Sequence, residues 1–415
     1  MAETQSEHQH KQILAGVKVL DLSRVLAGPW CTQMLGDFGA DVIKVEAIGK
    51  GDDSRAWGPP FLPPLEGEES QSRESAYYLC ANRNKRSIAI DLSKSEGTAL
   101  VRRLCAKADV FVENFKVGGL KKYGLDYASL RDAHPHLVYC SITGFGQYGP
   151  YAERGGYDYV AQAMGGFMSI NGELGGEPMK AGVAICDLFT GMYAATATLA
   201  ALHHAKATGQ GQHIDCALLD TQVAMLANQA MSFLVAGIVG KPLGNAHPTV
   251  VPYRTFETRD GRAVVAIGND GQFRAACRVL GIAELGTDPR FVTNADRIRN
   301  RAAVEAEVEK RTRTFATDDL VSALAAEGVP VGPINTIDKV FADPQVQLRE
   351  VVHHFRRSDG LDIPTVGYPP KLSETPADYR LPPPRVGEHS REILGEWLGL
   401  DAADQEKLFA AGVVG

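Results

Sequence analysis

The chain has 415 residues, 44% hydrophobic and 22% charged, a globular composition too long for one ordinary core, so two domains are expected. A net charge of -7 with both signs interspersed excludes global attraction to nucleic acid or an anionic membrane surface, so any anionic ligand must be held locally. Seven spaced cysteines without C-x-x-C, and eleven histidines without H-E-x-x-H, read as free thiols of a reducing compartment and no metal site.

Residues 1–13 form a polar tail with neither the apolar core of a secretory signal nor the Arg-rich pattern of a transit peptide, and a cytoplasmic location is expected. Residues 17–22 (V-K-V-L-D-L) read as a buried strand, followed by a loop and a helix ending near Gly39. Residues 41–46 (D-V-I-K-V-E) are the next strand, completing a βαβ unit and implying a parallel sheet. Residues 51–75 form a long loop rich in Gly, Pro and charge, of the kind that usually serves function. Strands are expected again at 87–92, 109–114, 137–143 and 213–218. Ser93-x-x-Glu96 matches a capping box opening the helix to Ala108.

The apolar, Ala-rich run from Ala181 to His204 predicts a buried helix; Asp187 and Gly191 interrupt it, which argues against a membrane span. Asp187 lies in its first turn, where the helix dipole favours negative charge. It reads either as a helix-end residue or as a nucleophile or base on the floor of a cleft, and the residues alone leave both open. A helix over 219–236 follows. Arg259-Asp260-Gly261 marks a hairpin in a separate α+β domain with charged helices at about 299–313 and 317–327. From Ile334 the chain is Pro-rich and irregular, closing with a helix around 390–398.

Gly144-Phe145-Gly146-Gln147-Tyr148-Gly149 spells G-x-G-x-x-G, but it follows the fifth candidate strand and Pro150 delays the helix, so a dinucleotide site is disfavoured. These glycines are expected to let two backbones pass closely. No G-x-x-x-x-G-K-[ST] and no G-x-S-x-G occurs, which disfavours ATP chemistry and a serine hydrolase. Lys85, Arg86, Lys121 and Lys122 are the basic residues that could hold phosphates.

The runs L-A-G-V-K-V-L-D-L-S-R-V-L-A-G-P (14–29), G-A-D-V-I-K-V-E (39–46), N-R-N-K-R-S-I-A-I-D-L (82–92), D-V-F-V-E-N-F (109–115), G-Y-D-Y-V-A-Q-A (156–163) and G-V-P-V-G-P-I-N (328–335) resemble the class III CoA-transferase family, which also holds the α-methylacyl-CoA racemases. The resemblance runs from residue 14 nearly to the end. G-D-D-S-R-A-W-G-P-P-F (51–61) and C-S-I-T-G-F-G-Q-Y-G-P (140–150) are most similar to members acting on succinyl-CoA and glutarate.

The resemblance implies an α/β fold: a large Rossmann-like open-sheet domain (14–224), a smaller α+β domain (225–335), a return to the large domain (336–415), and an interlocked homodimer. It implies transfer of CoA from succinyl-CoA to a dicarboxylate such as glutarate, with coenzyme A as substrate and no permanently bound cofactor. Asp187 takes the place of the family's nucleophile, and a helix N-terminus should keep it ionised. The CoA contacts fall on Val25, Leu26, Ala27, Ile90, Asp91, Asn114, Phe115, Lys122, Tyr157 and Asp158. An arginine that some members use for CoA is Ala47 here, and Leu26 stands where formyl and oxalate transferases have glutamine. Arg55, by its charge, and Trp57 in the same loop are the candidate substrate contacts. Racemases pair the aspartate with a histidine at the position of Tyr157, a poor base at neutral pH, which favours transfer over racemisation. A CoA-binding protein without turnover is the third reading.

Overall fold

The computed structural model describes residues 12–64 and 74–415; the first eleven residues and part of the long loop, 65–73, lie outside the described residues. Up to Phe167, with Lys180–Met231 and Glu350–Gly415, the chain forms one compact unit; Met168–Met179 and Ser232–Arg349 form another.

The first unit opens with β1 (Lys18–Asp21), α1 (Ala27–Asp37) and β2 (Asp41–Glu46). There follow β3 (Lys85–Ala89), α2 (Ser95–Cys105), β4 (Val110–Glu113) and β5 (Val138–Thr143). Helix α3 (Asp158–Met164), the long α4 (Ile185–Thr208) and β6 (His213–Ala217) complete the frame. The six strands pair in parallel in the order β3-β2-β1-β4-β5-β6. The chain order therefore reverses between β1 and β4, and the crevice beyond their carboxyl ends is where such sheets bind ligands.

Side chains alternate across this sheet, and both faces are covered. Leu20, Ile43, Ile88, Phe111 and Tyr139 enter one core with Leu104 of α2 and with Ile393, Leu394 and Trp397 of the C-terminal segment. Val19, Val42, Val110, Val138 and Cys140 enter the other, with Leu35 of α1 and Ala194 and Ala195 of α4. Helix α4 has the length and apolarity to cross a membrane, with mean hydropathy 1.4, yet half of that stretch is buried in the fold. It lies against α1 so closely that a Cβ at Gly191 would sit 2.6 Å from the Ala27 carbonyl oxygen.

The second unit carries an antiparallel sheet of β7 (Tyr253–Glu257), β8 (Arg262–Ala266) and β9 (Val331–Pro333). Helices Asp270–Val279, Arg301–Thr312 and Thr317–Ala326 belong to it, with Phe256, Val265, Phe273, Val308 and Leu320 in its core.

Three local expectations are corrected. The capping box at Ser93 does not form: Ser93 donates to Asp91, and α2 begins at Ser95. The helix expected over 219–236 is two, Leu218–Met225 and Ala227–Ala236, divided where Ala227 takes a positive φ of 45°. The segment from Ile334 holds short helices Ile337–Ala342 and Pro344–Leu348, then the hairpin of β10 (Val352–Arg356) and β11 (Asp362–Val366).

Candidate active site

The β1–α1 connection is held at three successive residues. The Asn114 side chain, just past β4, accepts from the Arg24 N–H at 2.9 Å and donates to its carbonyl at 2.7 Å. The buried Lys44 ammonium donates to the Ser23 carbonyl at 2.8 Å, and the Val25 N–H donates to the Asp52 carboxylate at 3.1 Å. These contacts fix the mouth of the crevice at the point where the strand order reverses.

Two adjoining cavities open there. One, of about 200 Å³, is lined by Val25, Leu26, Ala27, Asn114, Phe115, Tyr157 and Asp187. The other, of about 460 Å³, is lined by Ile90, Asp91, Ala47 and Lys50, and shares Arg24, Asp53 and Phe115 with the first. Eight of the ten expected CoA contacts therefore fall along one continuous cleft.

Asp187 sits in the first turn of α4 with 8% of its surface exposed. No side chain caps that helix from its N-cap residue, Ala184. The cap comes from Asp158, whose carboxylate accepts from the Cys186 N–H at 2.8 Å and the Asp187 N–H at 3.3 Å. Asp158 does not line the cleft; it stands behind Asp187 at the start of α4. Burial first, and then the Asp158 charge, push the Asp187 carboxyl up to about 7. The expectation that the helix end keeps it ionised is thus corrected: the favourable end is already occupied by another carboxylate, and desolvation prevails.

The G-x-G-x-x-G segment returns the chain toward this site. A Cβ at Gly144 would lie 2.5 Å from the Gly156 Cα, so both positions must be glycine for the two backbones to cross. That crossing delivers Tyr157 to the cleft and Asp158 to the start of α4.

Arg55, the expected substrate contact, is buried and lines neither cavity. Its buried guanidinium donates to Glu46 at 2.9 and 2.7 Å, to Tyr78 Oη at 2.6 Å and to the Pro384 carbonyl at 2.9 Å. Such a fully engaged cation stitches the 51–75 loop to β2 and the C-terminal segment. Trp57 lines neither cavity, but packs edge-on against Tyr77 with centroids 5.3 Å apart. The Tyr77 hydroxyl is pushed up by burial and then by the Asp187 charge, which places Tyr77 in the field of that carboxylate.

The expected basic residues also differ. Lys122 lies over the Tyr123 ring at 4.6 Å and lines neither cavity. Lys85 is wholly buried against Asp21, and Arg86 pairs with Asp41, Glu392 and Glu396. The cations lining the cleft are Arg24, Lys50, Lys116 and Arg154. Arg24 pairs with Asp53 at 3.1 Å, and Arg154 stacks over Tyr151 and Phe145.

A family model described as CoA-transferase family III matches residues 14–390. The chain belongs to CoA-transferase family III. A succinate–glutarate CoA-transferase of Agrobacterium fabrum is 53% identical over 386 residues, spanning 93% of this chain and 96% of that protein. The human succinyl-CoA:glutarate CoA-transferase is 42% identical over 410 residues, spanning 99% of this chain and 92% of that protein. Among solved structures, a CaiB/BaiF family protein from Brucella suis superposes with a TM-score of 0.82 at 50% identity, over 93% of this chain and all of that one.

A family III CoA-transferase acts on a ligand that carries phosphates, and three of the cations that line the cleft, Arg24, Lys50 and Lys116, were not singled out from the sequence. Arg24 stood inside a quoted motif, and Lys50 follows three residues after Ala47, where an arginine of other members is lost. Lys116 directly follows the E-N-F motif. Distance along the chain from strand ends was the signal available for all three.

Proposed function

We propose that the chain transfers CoA from succinyl-CoA to glutarate through covalent intermediates on Asp187. A buried carboxylate at the floor of the cleft, to which no described residue donates a side-chain hydrogen bond, is the observation that carries this reading. The names of the relatives supply the donor and the acceptor.

An Asp187 oxygen attacks the thioester carbonyl; the C–S bond breaks, giving an aspartyl–succinyl anhydride and CoA thiolate. The thiolate attacks the aspartyl carbonyl, releasing succinate and leaving an aspartyl-CoA thioester. A glutarate carboxylate then attacks that thioester, expelling the thiolate, which adds to the glutaryl carbonyl and frees Asp187. Every step exchanges one acyl bond for another, so no oxidant or metal enters the balance. Val25, Leu26, Ala27, Asn114 and Phe115 hold the pantetheine side of the CoA ester, with Ile90 and Asp91 further along the cleft and Arg24, Lys50 and Lys116 for its phosphates.

Coenzyme A is a substrate in this reading, with no cofactor permanently bound, and the protein acts in the cytoplasm, consistent with its seven free cysteines. It works as an interlocked homodimer: Met192 and Tyr193 of α4, and Phe233, Leu234 and Val235 further on, expose apolar surface for a second copy to cover.

The test incubates the protein with succinyl-CoA and a panel of carboxylates including glutarate, following CoA esters by mass spectrometry. Glutaryl-CoA must form, and must not form with Asp187→Ala. Hydroxylamine should trap the activated acyl group on Asp187. Exchange of an α-proton without acyl exchange would establish a racemase instead, and neither reaction a binding protein.

A further inference from the structure

Val25 is the one β-branched residue with positive φ among the described residues, at 73°. Branching at Cβ makes that left-handed conformation costly, and such residues persist only where their surroundings hold them. Here the surroundings are an ion pair, Lys44 with Asp52 at 2.8 Å, both side chains wholly buried. The pair grips the chain on both sides of Arg24: Lys44 takes the Ser23 carbonyl at 2.8 Å, and both Asp52 oxygens face the Val25 N–H, at 3.1 and 3.3 Å. Asp52 is itself fixed by the Ser54 N–H at 2.9 Å and hydroxyl at 2.8 Å.

We propose that Asp52 is a positioning residue for CoA transfer: with Lys44 it forces Val25 into the left-handed conformation and so sets the Val25–Ala27 stretch that lines one cavity with Asp187. Three observations support this. The strain falls on a residue that lines the nucleophile's cavity, not on a remote turn. The clamp is side-chain and charged, while the residue between its two grips, Arg24, is held independently by Asn114. A glycine would adopt the same backbone freely, so keeping valine requires the clamp. Burial would raise the Asp52 carboxyl, but the Lys44 charge and the hydrogen bonds hold it at about 2, so the clamp stays charged throughout the neutral range.

The inference rests on the reading of the Asp187 cleft as the transfer site, and a double-mutant cycle tests it. With Val25 present, Asp52→Asn lowers kcat about 50-fold and leaves KM for the CoA ester within about 3-fold. In a Val25→Gly background the same substitution costs less than about 5-fold in kcat. Equal loss in both backgrounds is what a merely structural Asp52 gives, and that result overturns the proposal. Should Asp52→Asn fail to fold because Lys44 is left unpaired, Lys44→Met combined with Asp52→Asn replaces it in the cycle. A crystal structure of the same variant must show Val25 relaxed to negative φ; a retained left-handed Val25 also overturns the clamp. Absence of CoA exchange in the wild-type protein would sink the proposed reaction alone, because the backbone at residue 25 still reports on the clamp.

Discussion

Asp158 caps the helix of Asp187: one carboxylate accepts the backbone N–H of Cys186 at 2.8 Å and of Asp187 at 3.3 Å. Two acidic side chains thus share one helix N-terminus, and the one that caps is not the one that lines the cleft. The helix end satisfies Asp158, and Asp187 is left buried beside a like charge.

That arrangement gives the reaction a pH dependence. In the proposed reaction Asp187 attacks only as the carboxylate, and burial and then Asp158 push its carboxyl up to about 7. The logarithm of kcat/KM should therefore rise with pH at unit slope below about 7 and level off above it. Asp158→Asn keeps an oxygen for the two N–H groups and removes the repulsion, so the limb should move to lower pH. Because burial is the larger cause, the limb should still lie above the ordinary aspartate range. A limb unmoved by Asp158→Asn would show that the two carboxyls do not interact.

The same shift bears on stability, with a definite sign. A carboxyl raised from 3.8 to about 7 on folding favours the folded state while protonated, and that advantage is lost as pH rises between the two values. Ionised Asp187 then costs of the order of 4 kcal/mol at most, at 1.36 kcal/mol per unit. Asp187→Asn should abolish transfer yet unfold at higher denaturant than wild type at pH 8, with the gap closing toward pH 5. Equal midpoints at pH 8 would mean that Asp187 is solvated in the folded protein.

How far the sequence announced this site follows from distance. β2 fell on residues 41–46 as expected, and the apolar run predicted α4 with Asp187 in its first turn. The Asp158 cap was illegible as a cap, because 29 residues separate it from the N–H it accepts. Lys85 was expected as a possible phosphate contact, and nothing in the sequence singled out Lys44; the burial of both depends on Asp21 and Asp52, brought close only by the parallel sheet. The β10–β11 hairpin escaped notice because Pro364 lies within a strand, the mark of an edge.

Arg55 is the residue whose role changed most between sequence and structure, from a substrate contact to a buried tie. Removing one member of a buried ion pair leaves its partner charged and unpaired, which costs about 3–5 kcal/mol. Arg55→Gln should lower the unfolding midpoint accordingly, since Glu46 loses a pair of donors at 2.9 and 2.7 Å. At a temperature where the variant stays folded, its preference for glutarate over monocarboxylates should match wild type. A selective loss of glutarate would restore Arg55 to the substrate.

The resemblance assigned a CoA contact to Lys122, whereas the fold puts Lys116 on the cleft, among the residues around Asp187. Lys122 spends its charge over the Tyr123 ring, 4.6 Å from the centroid. A lysine meets phosphate as a point charge, so losing it weakens binding without altering the chemical step. Lys116→Gln should therefore raise KM for the CoA ester about 5-fold with kcat nearly unchanged, and Lys122→Gln by less than about 2-fold. The Lys116 effect should shrink as salt is raised, because an exposed charge is screened over about 8 Å at physiological ionic strength. Were Lys122→Gln the more damaging, the CoA phosphates would have to cross the Tyr123 side of the cleft, and the family correspondence would prevail over the geometry.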